Sequence, residues 1–316
     1  MNETAFYDGL ELGPMAGDEI DQVLALINVV QPNVPWSREY FDWQYFGNPA
    51  GAAKLYVARD GGHVVSLYSA VLQRMQVSDR LMHGWMVQDV MTHPTHRGRG
   101  LLHRLAELCL ASLRASHSIG YSFPNNQSER SFLRSGWHQW GSVPWWSRDL
   151  ASEEAASVDP QESATFDVVV THVWNASGLR FGVRRDMAHL NWRYCKPGQR
   201  YTRFVLDDRG VLVVKLYDAA EERRGHICDV FVRASEEETV SELIRFAAKW
   251  AAQRGATTLT AWMPHEHRYA RHFEAAGLSY RPSASRLVVI TAPADVEPFI
   301  KNPANWYLTQ ADSDVY

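Results

Sequence analysis

The sequence contains few cysteines that could form disulfide bonds or bind a metal. Three cysteines, Cys109, Cys195 and Cys228, lie far apart in 316 residues, so neither a disulfide framework nor a zinc site is expected. No apolar stretch approaches bilayer-spanning length, and the N-terminus lacks a basic segment followed by an apolar run. We therefore expect a cytoplasmic protein with reduced thiols, no membrane contact and no metal.

Excess positive charge is also absent. The formal net charge is −4, which gives no electrostatic reason to expect a nucleic-acid partner. A Gly-Lys-Ser/Thr sequence is missing, which argues against a nucleotide P-loop. Hydrophobic residues make up 46% and charged residues 22%, as in globular proteins, and the length suits two domains. Any anion site must therefore be local.

The most informative stretch is a basic, glycine-rich turn between a predicted strand at residues 85–91 and a predicted helix that begins at residue 101. Gly98 and Gly100 let the backbone turn tightly and direct successive N–H groups at one point. The helix N-terminus adds unpaired amides, and Arg97 and Arg99 add positive charge. The turn therefore predicts a phosphate site.

This turn resembles the acyl-CoA loop of the GNAT (Gcn5-related N-acetyltransferase) superfamily, which reads Gln/Arg-x-x-Gly-x-Gly/Ala after a β-strand. Here Leu102 fills the last small position, so its side chain must turn away from the pyrophosphate. The resemblance implies that acetyl-CoA or another acyl-CoA is the co-substrate. The residues that it implies for CoA binding are Met91, Thr92, His93, Arg97, Gly98, Arg99, Gly100, Leu101, Leu102 and Asn125.

The order of predicted elements also resembles this superfamily, and it occurs twice. Residues 41–45 are echoed by residues 190–194, Asp89-Val90 by Asp229-Val230, and the Phe-x-x-x-Gly of residues 132–136 by that of residues 273–277. We expect an α/β (α+β) fold of two tandem GNAT-like domains, each with a mixed, mostly antiparallel sheet flanked by helices. The predicted boundaries are a GNAT domain at 1–150, a small, acidic linker at 151–164, and a degenerate domain with a C-terminal tail at 165–316.

Only the first copy is expected to bind CoA. Where the first copy has its glycines, the second has Glu236, Glu237 and Glu238, whose charges repel phosphate. The resemblance implies direct attack of a neutral amine on the thioester, without a covalent enzyme intermediate. The family's thiolate-protonating Tyr is replaced by Phe132, which removes that proton donor.

Candidates for the general base are Asp89 and His93, which alternate onto one face of the predicted strand. Asp229 repeats Asp89 in the copy without the phosphate turn, which favours a structural role for this aspartate. The catalytic and the structural interpretation both remain open from the sequence.

The amine acceptor is expected to be a small molecule. Trp36 and Tyr45 are candidate acceptor-binding residues, because aromatic rings among polar groups suit a sugar or another polar ring. The tail at residues 305–314 combines aromatic residues with aspartates and is expected to dock back over the domain junction. Together with the tandem copies it resembles acyltransferases of nucleotide-linked amino sugars.

The leading hypothesis is thus an acyl-CoA-dependent N-acyltransferase acting on a primary amine. Two alternatives remain: a Fem-type aminoacyltransferase that uses aminoacyl-tRNA, and a non-catalytic acyl-CoA-binding or scaffold protein. The acidic net charge argues against the first of these. A homodimer is compatible with the sequence.

Overall fold

The computed structural model describes residues 5–151, 155–218 and 222–314. The chain forms two compact units. The first comprises Met1–Arg74, Met82–Gly141 and Ser285–Glu297; the second comprises Met75–Leu81, Ser142–Ala284 and Pro298–Tyr316. Each unit is therefore assembled from separate stretches of sequence.

The sheet of the first unit has neighbouring strands in the order β1-β2-β3-β4-β5-β6, and the end of β14 pairs with β6. Most neighbours are antiparallel, whereas β5 and β6 are parallel. The elements up to β7 are β1 Ala5–Tyr7, β2 Leu10–Pro14, α1 Ile20–Val30, α2 Arg38–Tyr45, β3 Lys54–Asp60, β4 His63–Val77, β5 Arg80–Thr92, α3 Leu101–Ala115, β6 Ile119–Ser122, α4 Glu129–Arg134 and β7 His138–Asp149.

The second unit repeats this arrangement with the strand order β7-β13-β12-β11-β10-β8, in which β12 and β13 are the parallel pair. Strand β9 pairs with the end of β4 at Met75–Val77. The elements after β7 are β8 Gln161–Ser163, α5 Val168–Ala176, β9 Phe181–Val183, α6 Met187–Arg193, β10 Thr202–Leu206, β11 Gly210–Asp218, β12 Arg223–Val232, α7 Thr239–Ala252, β13 Thr258–Ala261, α8 Ala270–Ala275, β14 Ser279–Thr291 and α9 Glu297–Ile300.

Each unit has its own apolar core, which explains why both copies can fold around the same pattern. Helix α3 buries Leu101, Leu105, Cys109 and Leu113, which are spaced four residues apart along one helix face. These side chains form a cluster with Leu12 and other strand residues of the first unit. The predicted fold class is confirmed: each unit has a mixed, mostly antiparallel sheet flanked by helices.

Two local features differ from expectation. The predicted GNAT domain at 1–150 includes a hairpin that was not predicted from the sequence: residues 5–14 form β1–β2, whose turn residues Asp8 and Gly9 have φ of 52° and 77°. An Asp-Gly pair between strands is a hairpin signal that the sequence carried. The predicted linker at 151–164 contains β8, which pairs with β10 through main-chain hydrogen bonds. Its residues 152–154 lie outside the described residues.

The tail packs within the second unit, where Trp306, Tyr307 and Leu308 have relative exposures of 2%, 0% and 1%. Among the described residues, no helix is both long and apolar enough to cross a membrane.

Candidate active site

Strand β5 separates from its parallel neighbour partway along its length. The pairing of β5 with β6 runs from Gly84 to Val87, where the Ser122 hydroxyl donates a hydrogen bond of 2.9 Å to the Val87 carbonyl. Two residues later Asp89 has a φ of 49°, a left-handed conformation that re-aims the strand. The remainder of β5 can therefore offer main-chain groups to a ligand instead of to β6.

The glycine-rich turn follows directly. Gly98 and Gly100 have φ of 81° and 75°, in the left-handed region where a side chain is strained. Gly100 is the last residue before α3, and no side chain of the described residues caps this helix. Because the first amides of a helix lack intrahelical partners, this end of α3 can receive an anion.

A cleft with a volume of about 470 Å³ lies between the end of β5, this turn and α4. Eight of the predicted CoA-binding residues line it: Met91, Thr92, Arg97, Gly98, Gly100, Leu101, Leu102 and Asn125. The side chain of Arg97 donates from Nε to the Thr92 carbonyl at 3.3 Å, which links the turn to the strand end. The structure thus brings most of the predicted set together.

Arg99 and His93 do not line this cleft. Arg99 donates from Nε to Asp8 Oδ2 at 2.8 Å and from Nη2 to the Asp8 carbonyl at 2.8 Å, so its charge is used within the fold. The His93 ring lies 2.7 Å from the Thr95 hydroxyl and caps the short turn at Pro94–His96. Its geometry is that of a turn-stabilising residue.

Asp89 is held in place by two donors. The Tyr45 hydroxyl donates to Asp89 Oδ2 at 3.0 Å, and Gln88 Nε2 donates to the same oxygen at 2.9 Å. Burial, followed by the charge of Asp89, raises the pKa of Tyr45 well above its usual range. The phenol therefore stays protonated and orients the carboxylate one residue before Val90, which lines the cleft.

The two predicted acceptor-binding residues, Tyr45 and Trp36, differ in exposure. The Tyr45 side chain is 0% exposed, so its ring has no face to offer an acceptor; only its hydroxyl acts, through Asp89. Trp36 is half-buried, with its ring centroid 5.8 Å from that of Tyr45. Trp36 thus keeps the accessible surface that an acceptor contact requires.

The structure also adds residues that sequence reasoning missed. Val30, His103, Arg130 and Arg134 line the cleft. The two arginines are four residues apart on α4 and therefore lie on one helix face, a spacing that was visible in the sequence. Asn125 lines the cleft and uses its Oδ1 to accept from the Gln127 and Ser128 amides at 3.0 Å each, so it is also a turn cap.

The matched family domain and the fold are those of an N-acyltransferase enzyme. Residues 11–139 match the family model described as an acetyltransferase (GNAT) domain, so this stretch of the chain is a domain of the GNAT superfamily. Enzymes of this superfamily generally use acetyl-CoA and act on small-molecule or other amine acceptors. No curated protein matches the sequence.

Solved structures resemble the chain over most of its length at low sequence identity. A probable N-acyltransferase from Enterococcus faecalis V583 matches with a TM-score of 0.68 and 12% identity, over 88% of this chain and 72% of that one. A GCN5-related N-acetyltransferase from Anabaena variabilis ATCC 29413 matches with a TM-score of 0.67 and 13% identity, over 90% and 72%. Eis1 from Mycobacterium abscessus matches with a TM-score of 0.57 and 11% identity, over 88% and 72%. At these identities the likeness is one of fold.

Proposed function

We propose that the first unit transfers an acetyl or short acyl group from acyl-CoA to a primary amine of a small molecule by direct attack. The observation that carries this proposal is the cleft at the N-terminus of α3, where the glycine-rich turn meets the separated end of β5. The amides from Arg97 to Leu102 suit a pyrophosphate, since they lie at the positive end of a helix dipole. The main chain at Met91 and Thr92 suits the pantetheine arm and the thioester carbonyl.

The chemistry needs a neutral amine and a proton acceptor. The amine nitrogen attacks the thioester carbonyl, the carbon–sulfur bond breaks, and the acyl group ends as an amide. In our proposal Asp89 removes the amine proton, directly or through water, because its carboxylate is fixed by Tyr45 and Gln88. Phe132 is 3% exposed and packs on Trp137, so the thiolate leaves without a phenol at that position.

The proposed acceptor class rests on Trp36, whose ring packs near Tyr45, the residue that binds Asp89. Trp36 supplies a half-buried ring, which suits a flat or polar ring such as an amino sugar. We propose a nucleotide-linked amino sugar as the first acceptor to test.

Calorimetric titration with acetyl-CoA and free CoA tests the donor site. We expect one site per chain, and Gly100→Val to raise Kd at least about tenfold, because a β-branched residue at positive φ distorts the turn. Gly61→Val is the control, since Gly61 also has positive φ but lies outside the cleft lining; an added Cβ has open space at Gly61 and meets only the Tyr7 hydroxyl, at 3.6 Å, at Gly100. Equal Kd for Gly100→Val and wild type, or no binding at millimolar acetyl-CoA, would overturn the assignment.

Thiol release then separates an enzyme from a binding protein. We expect free CoA thiol to appear only when acetyl-CoA and an amine acceptor are both present. Tight acetyl-CoA binding without turnover across primary amines, amino sugars included, would favour a non-catalytic acyl-CoA-binding protein instead.

A further inference from the structure

Two sequence matches, one on each side of the phosphate turn, align the first unit with the second. Matching Asp89 with Asp229 places Arg97 at Glu237 and Gly98 at Glu238. Matching the Phe-x-x-x-Gly of α4 with that of α8 places Arg130 at Arg271. The second unit thus shows which groups an arginine at this position, on α8 in the second unit and on α4 in the first, can contact.

In the second unit that arginine reaches the turn at the start of α7. Arg271 Nη2 donates to Glu237 Oε1 at 3.1 Å and to Glu238 Oε1 at 3.0 Å. Arg268 Nη1 lies 3.3 Å from Glu237 Oε2, and the buried His272 lies 3.3 Å from Glu237 Oε1. The carboxylates of this turn therefore supply, from within the chain, the anion that its basic side chains require.

The first unit has the arginine but not the carboxylates. Its turn reads Arg97-Gly98-Arg99-Gly100, and both Arg130 and Arg134 line the cleft together with the two glycines. Among the described residues, neither guanidinium has a hydrogen-bond or ion-pair partner. Both arginines are exposed on one helix face beside the glycine-rich turn, so they are available to an anion from outside the chain.

We propose that Arg130 binds the pyrophosphate of the acyl-CoA over the glycine-rich turn, with Arg134 strengthening the positive field from the next helical turn. The inference rests on the proposed function and names the residue that selects a phosphorylated donor. Because a phosphate oxygen lies where the second unit has the Glu237 and Glu238 carboxylates, the same arginine geometry serves both units.

The test compares two donors that share the thioester but differ in phosphate. With acetyl-CoA, Arg130→Ala raises KM about tenfold to hundredfold, the range for loss of a charge-assisted hydrogen bond, while kcat stays within about twofold. With acetylpantetheine, which lacks phosphate, kcat/KM is unchanged by this substitution. Arg130→Lys keeps the charge and recovers part of the loss, and the salt dependence of acetyl-CoA binding weakens in Arg130→Ala.

Arg271→Ala in the second unit is the matched control and leaves both donors unaffected. Circular dichroism and thermal midpoints verify that each variant is folded. If wild type binds acetyl-CoA but Arg130→Ala changes neither donor, or weakens both equally, the role of Arg130 is wrong and the proposed function stands. If wild type binds no acetyl-CoA, the proposed function and this inference both fail.

Discussion

The two units contain the same tyrosine–aspartate pair in two different environments. Tyr45 donates to Asp89 at 3.0 Å in the first, and Tyr194 donates to Asp229 at 2.9 Å in the second. Asp89 is half-buried one residue from the cleft lining, whereas Asp229 is 0% exposed. A repeated pair therefore does not by itself define a catalytic site, because its surroundings decide whether a substrate can reach it.

The residue that precedes the N-cap of α2 or α6 accounts for much of this difference between the two aspartates. Ser37 and Asp186 are the N-caps of α2 and α6, so Trp36 in the first unit corresponds to Arg185 in the second. Arg185 is 0% exposed and donates from Nε to Asp229 Oδ2 at 2.8 Å. A guanidinium thus neutralises the aspartate of the second unit, whereas the first unit has an indole at that position.

The C-terminal tail completes the second environment. The Tyr307 hydroxyl donates to Asp229 Oδ1 at 2.6 Å, and Asp312 accepts from Nη1 and Nη2 of Arg185 at 2.8 and 2.9 Å. Burial lowers the pKa of Arg185, but Asp229 and Asp312 outweigh it and hold that pKa well above the usual value. The tail therefore turns the second pair into a structural hub, closed by hydrogen bonds.

Among the substitutions that test this comparison, replacing Arg185 is expected to have the largest effect on the free energy of unfolding. Arg185→Met leaves the Asp229 and Asp312 carboxylates buried without their counter-charge, and we expect a loss of about 3–5 kcal/mol in the free energy of unfolding. Urea denaturation measures this loss. Trp36→Met, at the corresponding position of the first unit, is the control and costs much less, since Trp36 neutralises no charge.

A second variant separates the lost ion pair from lost packing. Arg185→Met combined with Asp229→Asn and Asp312→Asn removes the uncompensated charges and should recover a substantial part of the stability. A loss below about 1 kcal/mol for Arg185→Met alone would contradict the view of this cluster as a structural hub.

Replacing Asp89 or Asp229 with asparagine compares the two aspartates by their effects on activity. We expect Asp89→Asn to lower kcat about 100-fold or more without changing acetyl-CoA affinity, because an amide cannot accept the amine proton. Asp229→Asn should leave kcat unchanged and lower the unfolding free energy by about 1–3 kcal/mol, since Arg185 and three hydroxyls lose a charged partner. Equal kcat for Asp89→Asn and wild type would remove Asp89 from the mechanism.

Several of these features were predictable from sequence because they are local. The glycine-rich turn, its strand and its helix follow from spacing alone, and the repeated Asp and Phe-x-x-x-Gly marked the tandem copies. The acidic turn at residues 236–238 was predicted to exclude phosphate. The structure adds that Arg268, Arg271 and His272 bind its carboxylates.

Features that depend on distant partners were not predictable in this way. The stretch Ser285–Glu297 belongs to the first unit although it follows most of the second unit in sequence. The periodicity of a strand does not indicate which other strand that strand will pair with. The short strand β8 is polar and exists through its pairing with β10. Arg185 and Asp312 are 127 residues apart, so their bidentate contact could be found only in the fold.

The two units also differ in their buried histidines, and this difference bears on how the stability of each unit depends on pH. Among the described residues, the buried histidines all lie in the second unit: His189, His226, His267 and His272. Burial, with help from Lys215, lowers the pKa of His226 from 6.5 to about 4. Burial, with help from Arg268, lowers the pKa of His267 to about 3. Both rings are therefore neutral in the folded state at neutral pH.

These lowered pKa values predict acid sensitivity of the second unit. His226 and His267 each bind a proton more tightly in the unfolded chain, so their contribution to stability is present above about pH 6.5 and is lost as pH falls toward the folded pKa values. At pH 5 the loss is about 2 kcal/mol per histidine, from 1.36 kcal/mol per unit of pKa. Hydrogen exchange at pH 7 and pH 5 measures it, and we expect amides of the second unit to lose protection first.

Two substitutions assign this loss to particular rings. His267→Asn keeps an acceptor for the Tyr269 amide, which His267 Nδ1 binds at 3.1 Å, but removes the titrating imidazole. We expect this variant, and His226→Asn separately, to flatten the fall in unfolding free energy between pH 7 and pH 5. His138→Asn, at an exposed position of the first unit, should leave the slope as in wild type. If protection in the first unit falls earlier, or neither buried variant changes the slope, acid sensitivity does not originate in these histidines and the contrast between the units stays confined to their aspartates.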